Sequence, residues 1–164
     1  DSYEIVNAFT ISKYQTLFSN MIGEISFFAK AVNTVSGKDV RVSKRAFIPA
    51  SKLRGFESGM IGPIDNNDYI GGNYVSALNL STTLPQILPS FENTDFSLFL
   101  DAANIWGVGD SSSVKENSTI RSSVGVGVEF LSPVGPLSFS LSQALGKASS
   151  DKTESFRFNL GTSF

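Results

Sequence analysis

The chain has no cysteine and no histidine. Without cysteine there is no disulfide framework and no thiolate metal site, and the redox compartment stays open. Without histidine the commonest general base, zinc ligand and physiological-pH switch are missing together, which disfavours hydrolases and metalloenzymes alike. No run approaches the roughly 20 consecutive apolar residues that a membrane-crossing helix requires, and Asp1 does not open a basic-then-apolar leader. Charge is also sparse: 13 Lys and Arg stand against 15 Asp and Glu, a net charge of −2. The basic residues are scattered rather than striped, so nucleic acid is not an expected partner. The 164 residues could bury a core as one domain. If such a chain spans a membrane, it does so as a barrel.

What is abundant fits that reading. Fourteen Phe and 14 Gly sit in Ser- and Asn-rich sequence, suiting a sheet with an apolar outer face and a crowded polar inner one. From Ser155 to Phe164, Phe156, Phe158, Leu160, Thr162 and Phe164 alternate with Arg157, Asn159, Gly161 and Ser163, the period of a half-apolar strand. Leu137, Phe139 and Leu141 alternate with serines, and Val124, Val126, Val128 and Phe130 alternate with Ser123, Gly125, Gly127 and Glu129. Ser132-Pro133-Val134-Gly135-Pro136 joins these two segments as a tight turn. Farther upstream, Phe96, Leu98 and Leu100 face away from Asp95, Ser97 and Asp101, and Leu78 and Leu80 face away from Asn79 and Ser81. Weaker strands are expected near Tyr3–Leu17 and Met21–Asn33, giving about seven in all. Short turns alternate with long polar stretches at 36–72 and 107–119, the unequal connections of an outer-membrane barrel.

A soluble β-sandwich or lipocalin-like barrel also alternates. Its exposed face, however, should be rich in Lys and Glu, whereas here the polar positions are mostly Ser, Asn and Gly. Seven strands would enclose almost nothing, and bacterial single-chain barrels have even strand numbers, so a fragment of a larger barrel is expected. Gly125-Val126-Gly127 lacks the third glycine of a dinucleotide loop and reads as a tightly packed strand. Asp65-Asn66-Asn67-Asp68 lacks the remainder of a calcium-loop pattern and reads as a solvated loop tip.

The long central loop contains Lys52-Leu53-Arg54-Gly55-Phe56-Glu57-Ser58-Gly59-Met60-Ile61-Gly62-Pro63. This stretch resembles the loop motif of the BamA family: an apolar residue, Arg-Gly-Phe and, after a short spacer, Ile-Gly-Pro. Similarity continues through Phe99-Leu100-Asp101-Ala102-Ala103-Asn104-Ile105-Trp106 and through Arg121 to Leu137. A lone Arg-Gly-Phe triplet is weak, but three motifs in order followed by an aromatic terminal strand are specific. The resemblance covers most of the chain from Leu53 to Phe164.

It implies an all-β fold: the C-terminal half of an antiparallel transmembrane barrel of about 16 strands, spanning residues 1–164, with the 36–72 loop folded into the lumen and the N-terminal strands and periplasmic domains outside this chain. It also implies a site. Arg54 is expected to pair with inner-wall acids, and alternation puts Asp101 on the polar face, within reach of a guanidinium fork. Gly55 would permit close backbone approach and Phe56 would anchor the loop. Where family members can carry a second inward acid this chain has Asn79, and Glu129 is the expected substitute. The last strand, with Phe156, Phe158, Leu160, Gly161 and Phe164, would form one side of a lateral seam offering unpaired backbone to an incoming strand.

The implied activity is non-enzymatic insertion of unfolded outer-membrane proteins at that seam in a Gram-negative-type outer membrane. Accessory assembly lipoproteins and lipid would be partners, and no cofactor or metal is needed. The alternative is a TamA-like or two-partner secretion transporter. A barrel lipase or protease lacks a base and a Gly-x-Ser-x-Gly elbow; a porin remains open.

Overall fold

A computed structural model describes residues 3–18, 20–35, 37–84, 94–109, 114, 118–133 and 135–160. Its main strands are β1 (Glu4–Thr16), β2 (Ile22–Thr34), β5 (Tyr74–Leu84), β6 (Thr94–Trp106), β7 (Arg121–Ser132), β8 (Gly135–Gly146) and β9 (Phe156–Leu160), paired in that order as one seven-stranded sheet. Every pairing is antiparallel. Within the long loop lie two 3-10 turns, Val42–Lys44 and Ala50–Lys52, and a two-stranded ribbon of β3 (Ile64–Asp65) and β4 (Asp68–Tyr69). Asn66 and Asn67 turn that ribbon with φ of 47° and 75°, a backbone that Asn tolerates better than most residues. The loop tip read from Asp65 to Asp68 is this hairpin.

The seven expected strands are all present, with β1 and β2 offset by a residue or so from their expected bounds. Of the terminal strand, Phe156–Leu160 is described, whereas Gly161 and Phe164 lie outside the described residues, as does Val134 of the tight turn.

Alternation separates two faces. Ile25, Leu80, Leu100 and Val124 stand opposite one another across four strands on the outer face, and Ile25, Leu100 and Val124 are exposed. Phe139 stacks near Phe158 with ring centroids 5.1 Å apart on that same face. In water such a continuous apolar surface would be an aggregation site; hydrocarbon is its matching solvent. The opposite row, Ser12, Ser26, Asn79, Asp101 and Ser123, runs polar across five strands.

Loop 35–73 lies over this inner face. Its Val40, Ala46, Ile48, Leu53, Phe56 and Ile61 form one buried cluster with strand residues including Val32, Val75, Ala103 and Ile105. The core thus sits between loop and sheet. Tyr74 and Trp106 pair at the loop end of β5 and β6, 5.9 Å between centroids, where an aromatic belt meets the membrane boundary.

Candidate functional site

The Leu53–Pro63 motif is seated by its apolar residues. Leu53 and Phe56 are 2% and 1% exposed, so burying both side chains supplies several kcal/mol, at roughly 1.5–3 each, toward holding the loop down. Between them Arg54 is delivered onto Asp101. Its Nε donates to Asp101 Oδ2 at 2.7 Å and its Nη2 donates to Oδ1 at 2.8 Å, while its own backbone N–H reaches Oδ2 at 3.0 Å. Two parallel charge-assisted bonds from a planar donor fix distance and angle together. The guanidinium carbon also lies 3.5 Å from the Phe99 ring centroid, a cation–π contact strengthened by partial desolvation. Gly125 makes room for that ring: a Cβ there would come within 2.5 Å of Phe99 Cζ.

Asn79 does not leave a gap in this arrangement. Its Nδ2 donates to Asp101 Oδ1 at 2.8 Å and to the Lys52 carbonyl at 2.9 Å. An amide donor braces the acid from the next strand and ties down the loop backbone, where a second carboxylate would have repelled Asp101. The Ser123 hydroxyl donates to the Arg54 carbonyl. Gly55, with φ of +89°, lies so close to the wall that a Cβ would meet the Ser123 Cβ at 3.0 Å.

The expected contribution of Glu129 to the ion pair is corrected by the geometry. Asp101 stands opposite Ser123, and Glu129 lies six residues farther along β7, opposite Asp95, roughly 20 Å of strand away. Among the described residues the Arg54 ion pair is made with Asp101. Glu129, Asp95, Glu24 and Ser97 line a cavity of about 480 Å³ beneath the loop, with Arg54 at its margin.

Two further ionic contacts hold the loop. The Arg121 and Asp151 side chains are fully buried, joined by Nε to Oδ2 at 2.9 Å and Nη2 to Oδ1 at 3.1 Å. Asp151 also accepts from the backbone N–H of Ala148 at 2.6 Å and of Gly62 at 3.3 Å. The Ile61-Gly62-Pro63 turn is therefore fastened to the β8–β9 connection. On β9, Arg157 Nη1 donates to the Ala50 carbonyl at 2.7 Å, Nη2 donates to the Phe56 carbonyl, and Nε donates to Glu154 at 2.9 Å. Backbone bonds run alongside: Glu57 N–H to Lys152 O at 3.0 Å, Lys152 N–H to Met60 O at 3.1 Å, and Glu154 N–H to Gly55 O at 3.1 Å.

Alternation put Arg157 on the inner face, and parity with Ser123 would do the same for Arg121. Neither was read as a loop contact, because Asp151 and the receiving carbonyls belong to irregular backbone that carries no period. Arg121 stays in register with Ala103 of β6, while the β7–β8 pairing shifts between Ser122 and Ser123.

At the base of the loop, Asp39 accepts from Arg45 Nη2 at 2.6 Å, from Asn73 Nδ2 at 3.0 Å and from the Gly109 N–H at 3.0 Å. Partial burial raises its pKa, but the hydrogen bonds from Asn73, Gly109 and Val40, with the Arg45 charge, outweigh that and leave it below the ordinary carboxylate value. Tyr69 in β4 is shifted upward by burial and then by the Asp151 and Glu57 charges. No group of His, Asp and Glu suited to a metal ion occurs among the described residues.

An antiparallel sheet with a lipid-compatible outer face, whose inner face is filled by an ionically fastened loop, is the wall of a transmembrane β-barrel. Residues 6–164 match the Omp85 superfamily domain, and the chain belongs to that superfamily. The outer membrane protein assembly factor BamA of Neorickettsia risticii (strain Illinois) is 30% identical over 132 residues, covering 79% of this chain and 18% of that protein. BamA of Neisseria meningitidis serogroup B is 30% identical over 141 residues, covering 68% of this chain and 17% of that protein. The crystal structure of Haemophilus ducreyi BamA lacking POTRA domains 1–3 aligns with a TM-score of 0.77 at 28% identity, over 96% of this chain and 34% of that one. The chain spans less than a fifth of the length of the curated relatives it matches.

Proposed function

We propose that this chain belongs to the barrel of an outer-membrane β-barrel assembly factor, which inserts and folds other outer-membrane proteins by strand templating at a lateral seam. The observation that carries the reading is the Arg54–Asp101 fork, which fastens a BamA-like loop to the inner wall of an Omp85 barrel. On this reading β9, which pairs with β8 on one side, is the seam strand. Free N–H and C=O groups on a seam strand can register an incoming strand, and the client's own folding free energy then drives insertion without nucleotide or covalent chemistry. The protein acts in a Gram-negative-type outer membrane on unfolded barrel clients, together with accessory lipoproteins and lipid; it is not an enzyme and uses no cofactor. Leu53, Gly55, Phe56, Ile61, Gly62 and Pro63 shape the loop, and Phe156, Phe158 and Leu160 belong to the seam strand, Gly161 and Phe164 lying outside the described residues.

The test replaces the full-length protein in its host with Arg54→Glu as the sole copy. Charge reversal sets two carboxylates against each other at the wall, so outer-membrane barrel content and growth should fall sharply. Normal growth with normal barrel content would refute the loop-lock role. A TamA-like or two-partner secretion transporter is the second reading, supported by the superfamily match, which it would share. Its mark would be loss of one secreted substrate with bulk barrel assembly intact.

A further inference from the structure

We propose that Arg157 is a positioning residue that makes the inward loop and the edge strand β9 move as one body, so that β9 leaves the wall only when the loop lets go. This rests on the seam reading above and assigns the seam a control.

Three observations carry it. β9 pairs with β8 from Leu137–Leu160 to Leu141–Phe156 among the described residues, and the contact runs on to Ser155, whose carbonyl accepts from the Ser142 N–H at 2.8 Å. Its N-terminal approach is also held from inside, through the Gly55–Glu154, Glu57–Lys152 and Met60–Lys152 backbone bonds and the Phe56–Thr153 bridge. Finally, Arg157 forks from β9 itself onto the carbonyls of Ala50 and Phe56. Those carbonyls flank Arg54, whose guanidinium grips Asp101 three strands away on β6. Both arginines thus hold the same stretch of loop, one to the fixed wall and one to the edge. A planar guanidinium spans two carbonyls that an ammonium cannot reach together. Detaching the loop at Arg54 frees from the wall the stretch that Arg157 grips, and β9 then loses part of its interior support.

Hydrogen exchange on the full-length protein in lipid nanodiscs tests this with Arg54→Ala, Arg157→Gln, the double variant and Arg157→Lys. Each of the first two should accelerate exchange across 156–160 about tenfold, and the double should be no faster than the faster single, because both break one chain of contacts. Arg157→Lys, which keeps the charge beside Glu154, should fall between wild type and Arg157→Gln. Unchanged exchange at 76–82 and 97–103 marks a folded barrel. If Arg54→Ala loosens the loop while 156–160 exchanges as in wild type, the coupling is overturned, and it is equally overturned if the two effects multiply. Should Arg157→Gln fail to fold, Arg54→Ala alone still decides, since the Arg54 side chain's ion pair is made with β6 rather than β9. Client insertion plays no part in this readout. A wild-type protein that assembles no clients would remove the proposed function and leave the coupling to be judged by exchange.

Discussion

At the scale of single residues, the fork of Arg54 on Asp101 depends on shape as much as charge. Lysine at position 54 would keep the charge but offer one donor centre to two oxygens and no plane to lay on Phe99, so Arg54→Lys should recover little of what Arg54→Ala loses in loop protection by hydrogen exchange. Gly55→Ala is sharper: a side chain at φ of +89° costs roughly 1–3 kcal/mol, and its Cβ would press on Ser123. Thermal unfolding of the full-length barrel should show that loss. The buried Arg121–Asp151 pair behaves differently. Removing one partner, as in Asp151→Asn, takes the Asp151 carboxylate away from a buried guanidinium and should destabilise by about 3–5 kcal/mol, whereas replacing both by apolar residues of similar volume should cost far less. Equal losses in denaturant unfolding would show that the pair acts as two independent contacts. Arg54 and Asp101 were legible in the sequence because the motif supplied one and strand parity the other. Asp151 was not, since parity says nothing about a residue in a turn.

At the scale of elements, the strands were readable because lipid and lumen impose opposite demands on alternate residues, and Leu98, Asp101 and Val124 record that directly. The loop was readable as a motif but not as a fold. Its ribbon at Ile64–Tyr69 is a two-pair hairpin too short to show a period, and its pairing with 152–154 rests on backbone bonds between segments more than ninety residues apart, for which sequence pattern gives no register. The loop base also carries a pH dependence. Asp39 has a lowered pKa, so its contribution to holding Arg45, Asn73 and Gly109 is present above the ordinary carboxylate value and is lost as pH falls through the lower native value. Exchange protection at 39–46 and 107–109 should therefore hold from neutrality down to about pH 4 and fall only below it. Loss of protection nearer neutrality would mean that another group fastens this end.

At the scale of the whole molecule, the sheet brings together an apolar outer surface, a polar cavity and a loop held from β5, β6, β7 and β9. The expectation that Glu129 would stand in for a missing acid fails on position along the strand: alternation places it on the inner face, but it stands opposite Asp95, six residues from Ser123, and the Arg54 ion pair is made with Asp101. Under the proposed function, the barrel holds its loop closed while β9 serves as the seam strand. The most direct measurement is the folding rate of an unfolded outer-membrane barrel protein into liposomes containing the full-length protein, scored by the compact, unheated form on gels. The account predicts folding at least about tenfold faster than into empty liposomes, a barrier lowered by about 1.4 kcal/mol or more, with Arg54→Glu returning most of that gain. Equal rates with and without the wild-type protein would contradict it.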